Sequence, residues 1–197
     1  MKIKYNGYTS FTISVDNLTV LTDPVLAKEK GIKGIPSEAD VIINTAGSKA
    51  SDVKPVSRKD VFEINSAGEY EISGLMIQRP LGTHHYILDY ELIRVVLIGT
   101  DSKDIDMKLL KDLGDVDVLL LPYTDGEDFP AYEALQDIIS NVEPAILVPY
   151  GTKEEGGKTK EDFLKYFGFS TFTEEKTLKV ESRPESEERT MQIVFLS

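Results

Sequence analysis

The sequence predicts a layered α/β (α+β) domain: two mixed β-sheets flanked by helices. Three observations carry this expectation. Up to Gly99 the chain alternates apolar and polar positions between turn residues. Beyond Gly99, stretches of helical spacing separate the apolar runs. Those later runs are continuous, as in DVDVLLLP, which marks strands covered on both faces by other layers.

The elements follow in order. MKIKYNGYTSF alternates from its first residues. TSFTISVDNLTVLTDP alternates Phe11, Ile13 and Val15, turns at Asp16-Asn17, and resumes at Leu18 and Val20, which is a β-hairpin closed by Pro24. ADVIINT contains Val41, Ile42 and Ile43, a short buried strand. VFEI and GEYEISGLMIQRP add strands punctuated by Gly68 and Gly74. HHYILDYELIRVVLIG reads as two more, pivoting near Asp89 to Glu91.

DIDMKLLKDLG then sets Ile105, Leu109, Leu110 and Leu113 at helical spacing, with Gly114 as the stop. DVDVLLLP is a buried strand. PAYEALQDIISNV is an amphipathic helix with Pro130 in its first turn and Leu135, Ile138, Ile139 and Val142 on one face. PAILVP is another strand, and KTKEDFLKYFG a third helix. The end, from Thr177, reads as two strands joined by a charged loop from Glu181 to Arg189. GTKEEGGK reads as a surface loop: it lacks P-loop spacing, and its glutamates would repel phosphate.

Composition narrows the function. A chain of 197 residues suits one domain, taken as residues 1–197. It can bury roughly 70% of its unfolded surface without covalent staples. There is no cysteine and there are two histidines, His84 and His85. That inventory removes disulfides, thiolate nucleophiles and cysteine-ligated zinc. The net charge of −12 disfavours nucleic acid and anionic membrane surfaces as partners. The N-terminus lacks the apolar core and cleavage site of a signal peptide, so a soluble, cytoplasmic protein is expected.

One stretch calls for explanation. The buried strand at Val41–Ile43 runs into TAGSKAS, where nearly every side chain is tiny, although loops leaving buried strands commonly carry chemistry. Taken with MKIKYNGYTSFTI, VLTDP, SAGEYEISGLMI, IRVVLIGT, GDVDVLLLPYTDG and EPAILVPYGT, the stretch resembles the metallo-β-lactamase fold, and within it the ascorbate-6-phosphate lactonase-like branch. The resemblance implies a four-layer αββα sandwich. It also implies a loop of the form T-H-x-H-x-D-H that grips one or two metal ions after the fourth strand. Here Thr45 remains, while Ala46, Ser48, Ala50 and Ser51 stand at the four ligand positions. The later metal aspartate falls on Thr100, beside Asp101, and the last histidine on Tyr150 or Gly151. Only His84 coincides with a ligand histidine, and Asp23 with an aspartate that buttresses the loop in relatives.

Catalytic zinc needs about three protein ligands plus water. One histidine with carboxylates such as Asp23, Asp52 or Asp101 would suit magnesium or manganese better. Adjacent histidines on a strand face opposite ways, so His84 and His85 would not share an ion. A metal-free hydrolase would need Ser48 or Ser51 as nucleophile, His84 as base and Asp101 or Asp23 as orienter. Each residue also has a plain structural role open to it: Asp23 as a turn former, the serines as loop residues, His84 buried on a neighbour, Tyr123 and Tyr150 as plugs of the rim.

The reading adopted is a degenerate member of the fold: no working zinc site, no cofactor, and a cleft formed by Asp23, Ala46, Ser48, Ala50, Ser51, His84, Thr100, Asp101, Tyr150 and Gly151. Its expected partner is a small-molecule ligand or another protein, with homo-oligomerisation open. The alternative is an active hydrolase of the ester, lactone or phosphodiester class with an unconventional site.

Overall fold

The central strands of this chain must bury both faces, and the architecture is the consequence. The computed structural model describes residues 1–46, 51–83, 85–99, 113–124, 129–151, 158–182 and 190–197. One sheet runs β13-β1-β2-β3-β4-β5, from β1 (Lys2–Gly7), β2 (Ser10–Val15), β3 (Leu18–Thr22), β4 (Val41–Ile43), β5 (Phe62–Ile64) and β13 (Leu178–Lys179). The other runs β12-β14-β11-β10-β9-β8-β7-β6. Its strands are β6 (Gly68–Ile72), β7 (Leu75–Arg79), β8 (His85–Tyr90), β9 (Ile93–Ile98), β10 (Val118–Pro122), β11 (Ile146–Tyr150), β12 (Thr173–Glu175) and β14 (Gln192–Leu196). Both are mixed: β3-β4-β5 and β9-β10-β11-β14 pair parallel, and the hairpins antiparallel.

Strand alternation divides the apolar residues between two cores. Val95 and Leu97, Val118 and Leu120, Val148 and Tyr150, and Val194 and Leu196 face the first sheet, meeting Phe11, Ile13, Val20, Val41 and Ile43. Their neighbours Val96, Ile98, Leu119, Leu121, Leu147, Ile193 and Phe195 face outward to the helices. Every residue of β10 is buried, which is why it reads as an unbroken apolar run.

Three helices are described: α1 (Pro24–Glu29), α2 (Tyr132–Val142) and α3 (Lys160–Phe167). α2 sets Leu135, Ile138 and Val142 against the second sheet, and α3 adds Phe163. α3 starts where it does because Thr159 caps it reciprocally: its hydroxyl accepts from Asp162 N (3.1 Å) and its N–H donates to the Asp162 carboxylate (2.9 Å). No described helix is long and apolar enough to cross a membrane.

The structure revises several expectations. Pro24 does more than end a strand: it opens α1, whose Ala27 joins the cluster between the sheets. Pro130 precedes the Ala131 cap of α2, so it lies outside the first turn. β12 carries no apolar signal because all three residues are exposed; pairing with β14 and the Lys160–Glu174 ion pair hold it. The two strands expected at the C-terminal end are present and go to different sheets: β13 completes the first beside β1, and β14 enters the second beside β11. The helix expected from Asp104, the loop at 152–157 and most of the charged loop lie outside the described residues.

Asp40, just before β4, fastens the first sheet to the loop ahead of β5. One carboxylate oxygen accepts from the N–H groups of Val56 (3.0 Å), Ser57 (2.6 Å) and Arg58 (3.0 Å), and the other from Thr19 N (3.1 Å). Burial by itself would raise its pKa, but the N–H donors of Ser57, Thr19 and Arg58 and the Ser57 hydroxyl outweigh burial and lower it. Asp40→Asn replaces one acceptor oxygen with a donor, and the variant is expected to lose about 2–3 kcal/mol at neutral pH in urea unfolding. A carboxylate with a lowered pKa contributes above its unfolded value of 3.8 and fades as pH falls through the folded value. The difference between the two proteins should therefore shrink towards strong acid.

Candidate functional site

Of the residues singled out in the sequence, Asp23, Tyr150 and Gly151 lie at the end of the molecule where β3, β4 and β5 of one sheet meet β9 and β11 of the other. Asp23 follows β3 with φ 45, a left-handed turn between strand and helix. Its backbone N–H bonds Ile43 O (2.9 Å), and its carboxylate accepts Thr45 N and Thr45 Oγ1, both at 2.7 Å. The side chain of the residue after one strand thus clamps the residue after the next. Asp23 is 1% exposed. Burial pushes its pKa up to about 6, against the opposing pull of the Thr45 N–H and hydroxyl, the Thr9 hydroxyl and the Arg79 charge. The plain turn-former role is therefore too small: Asp23 braces the loop that begins at Thr45.

A second set of contacts ties the sheets together beside it. The Tyr86 hydroxyl, on β8, donates to Asn44 O at the end of β4 (2.8 Å). Asn44 Nδ2 reaches Asn65 Oδ1 after β5 (2.6 Å). Arg79, at the end of β7, donates from Nε to Thr83 O (2.9 Å) and from Nη1 to Asn65 O and Tyr86 Oη, both at 3.3 Å. Burial pushes the Tyr86 phenol up to about 12 despite the Arg79 charge, so it stays protonated and a donor. Asn44 and Asn65 each follow an apolar strand, in VIIN and FEIN, a recurrent strand-end signal that the motif reading passed over.

The far wall is aromatic. Tyr150 is buried, its ring edge-on to Phe11 (5.0 Å between centroids) and 6.2 Å from Tyr5, and its hydroxyl donates to Ile98 O. Burial and the neighbouring Asp23 charge hold its pKa well above the usual phenol value. Gly151 follows with φ 151, and a Cβ there would lie 2.0 Å from Thr124 Oγ1. Neither position offers a ligand atom to the cleft: Tyr150 is committed to Ile98, and Thr124 fills the space any side chain at 151 would need. Tyr123 turns the other way, with its ring 6.1 Å from both Phe163 and Phe195 on the helix face.

Ala46 is exposed beyond Thr45. Ser51 donates to Glu63 Oε1 (3.2 Å). Glu63 lies between Phe62 and Ile64 on β5, and Ile64 faces the interior, so Ser51 sits over the outer face of the first sheet. Asp52 pairs with Lys28 (2.7 Å) at the surface. His85 shares the parity of Ile87 and so faces the helix side of β8. Ser48, Ala50, His84, Thr100 and Asp101 lie outside the described residues. Among the described residues no three His, Cys, Asp or Glu side chains come together as a metal set. Asp23 has both oxygens engaged by Thr45, and Tyr150 and Gly151 offer no donor, so the described residues by themselves do not make up a catalytic zinc set.

Comparison with known proteins agrees with the architecture. A family profile for a beta-lactamase superfamily domain matches residues 2–151. A Thermotoga maritima structure, provisionally named a Zn-dependent hydrolase of the metallo-β-lactamase superfamily, is 22% identical, with a TM-score of 0.77 and full coverage of both chains (100% and 100%). A metallo hydrolase from the archaeon Ignicoccus hospitalis is 18% identical over 85% of this chain and 90% of its own, with a TM-score of 0.62. A provisionally named metal-dependent hydrolase of Parabacteroides distasonis is 22% identical over 84% and 89%, with a TM-score of 0.58. At these identities the likeness is one of fold. Comparison with curated proteins finds no match.

Two outcomes follow from this geometry. Because the Asp23 pKa is raised from 3.8 to about 6, its contribution to stability is full below pH 3.8 and is lost as pH rises through 6. Asp23→Asn keeps an acceptor for Thr45 N and should remove that loss, gaining up to about 3 kcal/mol on the wild type between acid and neutral pH. Denaturant titrations across the range measure it, and parallel profiles would refute the assignment. Gly151→Ala should cost at least about 1–3 kcal/mol in urea unfolding, through overpacking on Thr124 and a Cβ at φ 151, and Thr124→Gly should relieve the overpacking but not the backbone strain.

Proposed function

Since the chain belongs to the beta-lactamase superfamily, we propose that residues 1–197 form one domain of it, nearest the ascorbate-6-phosphate lactonase-like branch, that has lost its metal site. It acts without hydrolysis, in the cytoplasm, by holding a small ligand or a protein partner at the vestigial cleft. The observation that carries this reading is the chemistry of the rim. Where the resemblance places metal ligands, the chain has Ala46, Ser48, Ala50 and Ser51, and Gly151 is packed on Thr124 with no room for a side chain. Asp23 keeps a use without a metal, because Thr45 occupies both its oxygens. The provisional hydrolase names of the similar structures rest on a fold that hosts many functions, and function must be argued from the site.

Elemental analysis of protein purified without a metal-binding tag tests this reading. Substoichiometric zinc, iron and manganese are expected, with no change of melting temperature on adding EDTA and no turnover in an ester, lactone and phosphodiester screen. A metal that binds the folded state would stabilise it by mass action. Near-stoichiometric metal surviving a mild chelator, or a fall of several degrees in EDTA, would overturn the proposal.

A further inference from the structure

We propose that Arg79 makes this cleft an anion site, binding the carboxylate or phosphate group of a small ligand. The proposal deepens the metal-free reading above and rests on it. The chain carries 34 acidic side chains against 22 lysines and arginines, so a partly buried guanidinium has no shortage of carboxylates to pair with. Arg94 behaves as expected, forked onto Asp89 through Nε (2.7 Å) and Nη2 (2.8 Å). Arg79 does not. Its acceptors are the neutral carbonyls of Thr83 and Asn65 and the phenol of Tyr86. Its charge is felt at Asp23, yet both oxygens there are taken by Thr45.

A guanidinium held partly out of water, with only neutral hydrogen-bond acceptors among the described residues and Asp23 acting on it through space, keeps the capacity to bind an anion directly. The donor count points the same way. Nε and Nη1 are committed, while Nη2 has no acceptor among the described residues. Asn65 accepts from Asn44 at Oδ1 and from Arg79 at its backbone carbonyl, and its own amide N–H groups have no acceptor among the described residues. Among the described residues, donors therefore exceed acceptors around this guanidinium. It is also preset: three hydrogen bonds fix the fork, and it lies 5.5 Å over the Tyr86 ring, so little side-chain freedom is lost on binding. The fork geometry matches carboxylate and phosphate oxygens.

Inorganic phosphate and acetate, titrated separately into tag-free protein of measured metal content, test the proposal by amide chemical-shift changes. Saturable binding of at least one is expected, and the one that binds identifies the group. Arg79→Gln should weaken it by at least about tenfold, the loss of one charge-assisted pair. Asn65→Ala, which keeps the guanidinium, should weaken it several-fold, and Arg79→Lys should fall between, so the test survives if Arg79→Gln fails to fold. Metal-free protein that binds neither anion, or binds equally well in Arg79→Gln, overturns this inference and leaves the metal-free reading standing. Binding that needs a tightly held metal and vanishes with chelator overturns both.

Discussion

Asp23 is buried at the end of β3 and accepts both donors of Thr45 at the end of β4, and the cleft end of the molecule is organised by that pair. A carboxylate in a dry interior is stable only where donors reach it. Two short bonds from one neighbouring residue meet the need and fix the direction in which the chain leaves β4. The brace serves a loop of alanine and serine here. Both donors to the carboxylate belong to Thr45, and the Asp23 N–H in turn donates to Ile43 O of the neighbouring strand.

The two-faced burial of the second sheet sets what surrounds that brace. Each strand must supply one side chain to the inter-sheet core and the next to the helix side, so Tyr150 turns inward and Tyr123 outward, although both follow a proline. Tyr150 then fills the junction with Tyr5 and Phe11, and its hydroxyl is spent on Ile98 O. Overlap with Thr124 leaves glycine as the residue that fits at 151. The volume that a side chain at 151 would occupy is already full.

Across from the aromatic wall, the contacts are polar. Tyr86, Asn44, Asn65 and Arg79 join the first sheet to the second through backbone carbonyls and amides. Networks of this kind hold firm when every member is satisfied and invite a ligand where one is not. Arg79 is the member whose charge has no hydrogen-bonded anion among the described residues.

Periodicity made most of the fold legible in the sequence. The hairpin at Asp16-Asn17, the buried runs of β4, β10 and β11, and α2 and α3 each write a local repeat of apolar residues or a capping pair that can be read without coordinates. Inventory bears on the site as well: no cysteine, two histidines and a loop of alanine and serine leave few of the usual zinc ligands in the sequence. Tertiary structure decided the rest. Asp23 meets Thr45 across 22 residues, Tyr86 meets Asn44 across 42, and Tyr150 meets Ile98 across 52. β13 and β14 part to different sheets for the same kind of reason. Single polar residues at strand ends have no period, and their partners are chosen by how strands align in space, so no local pattern could announce them.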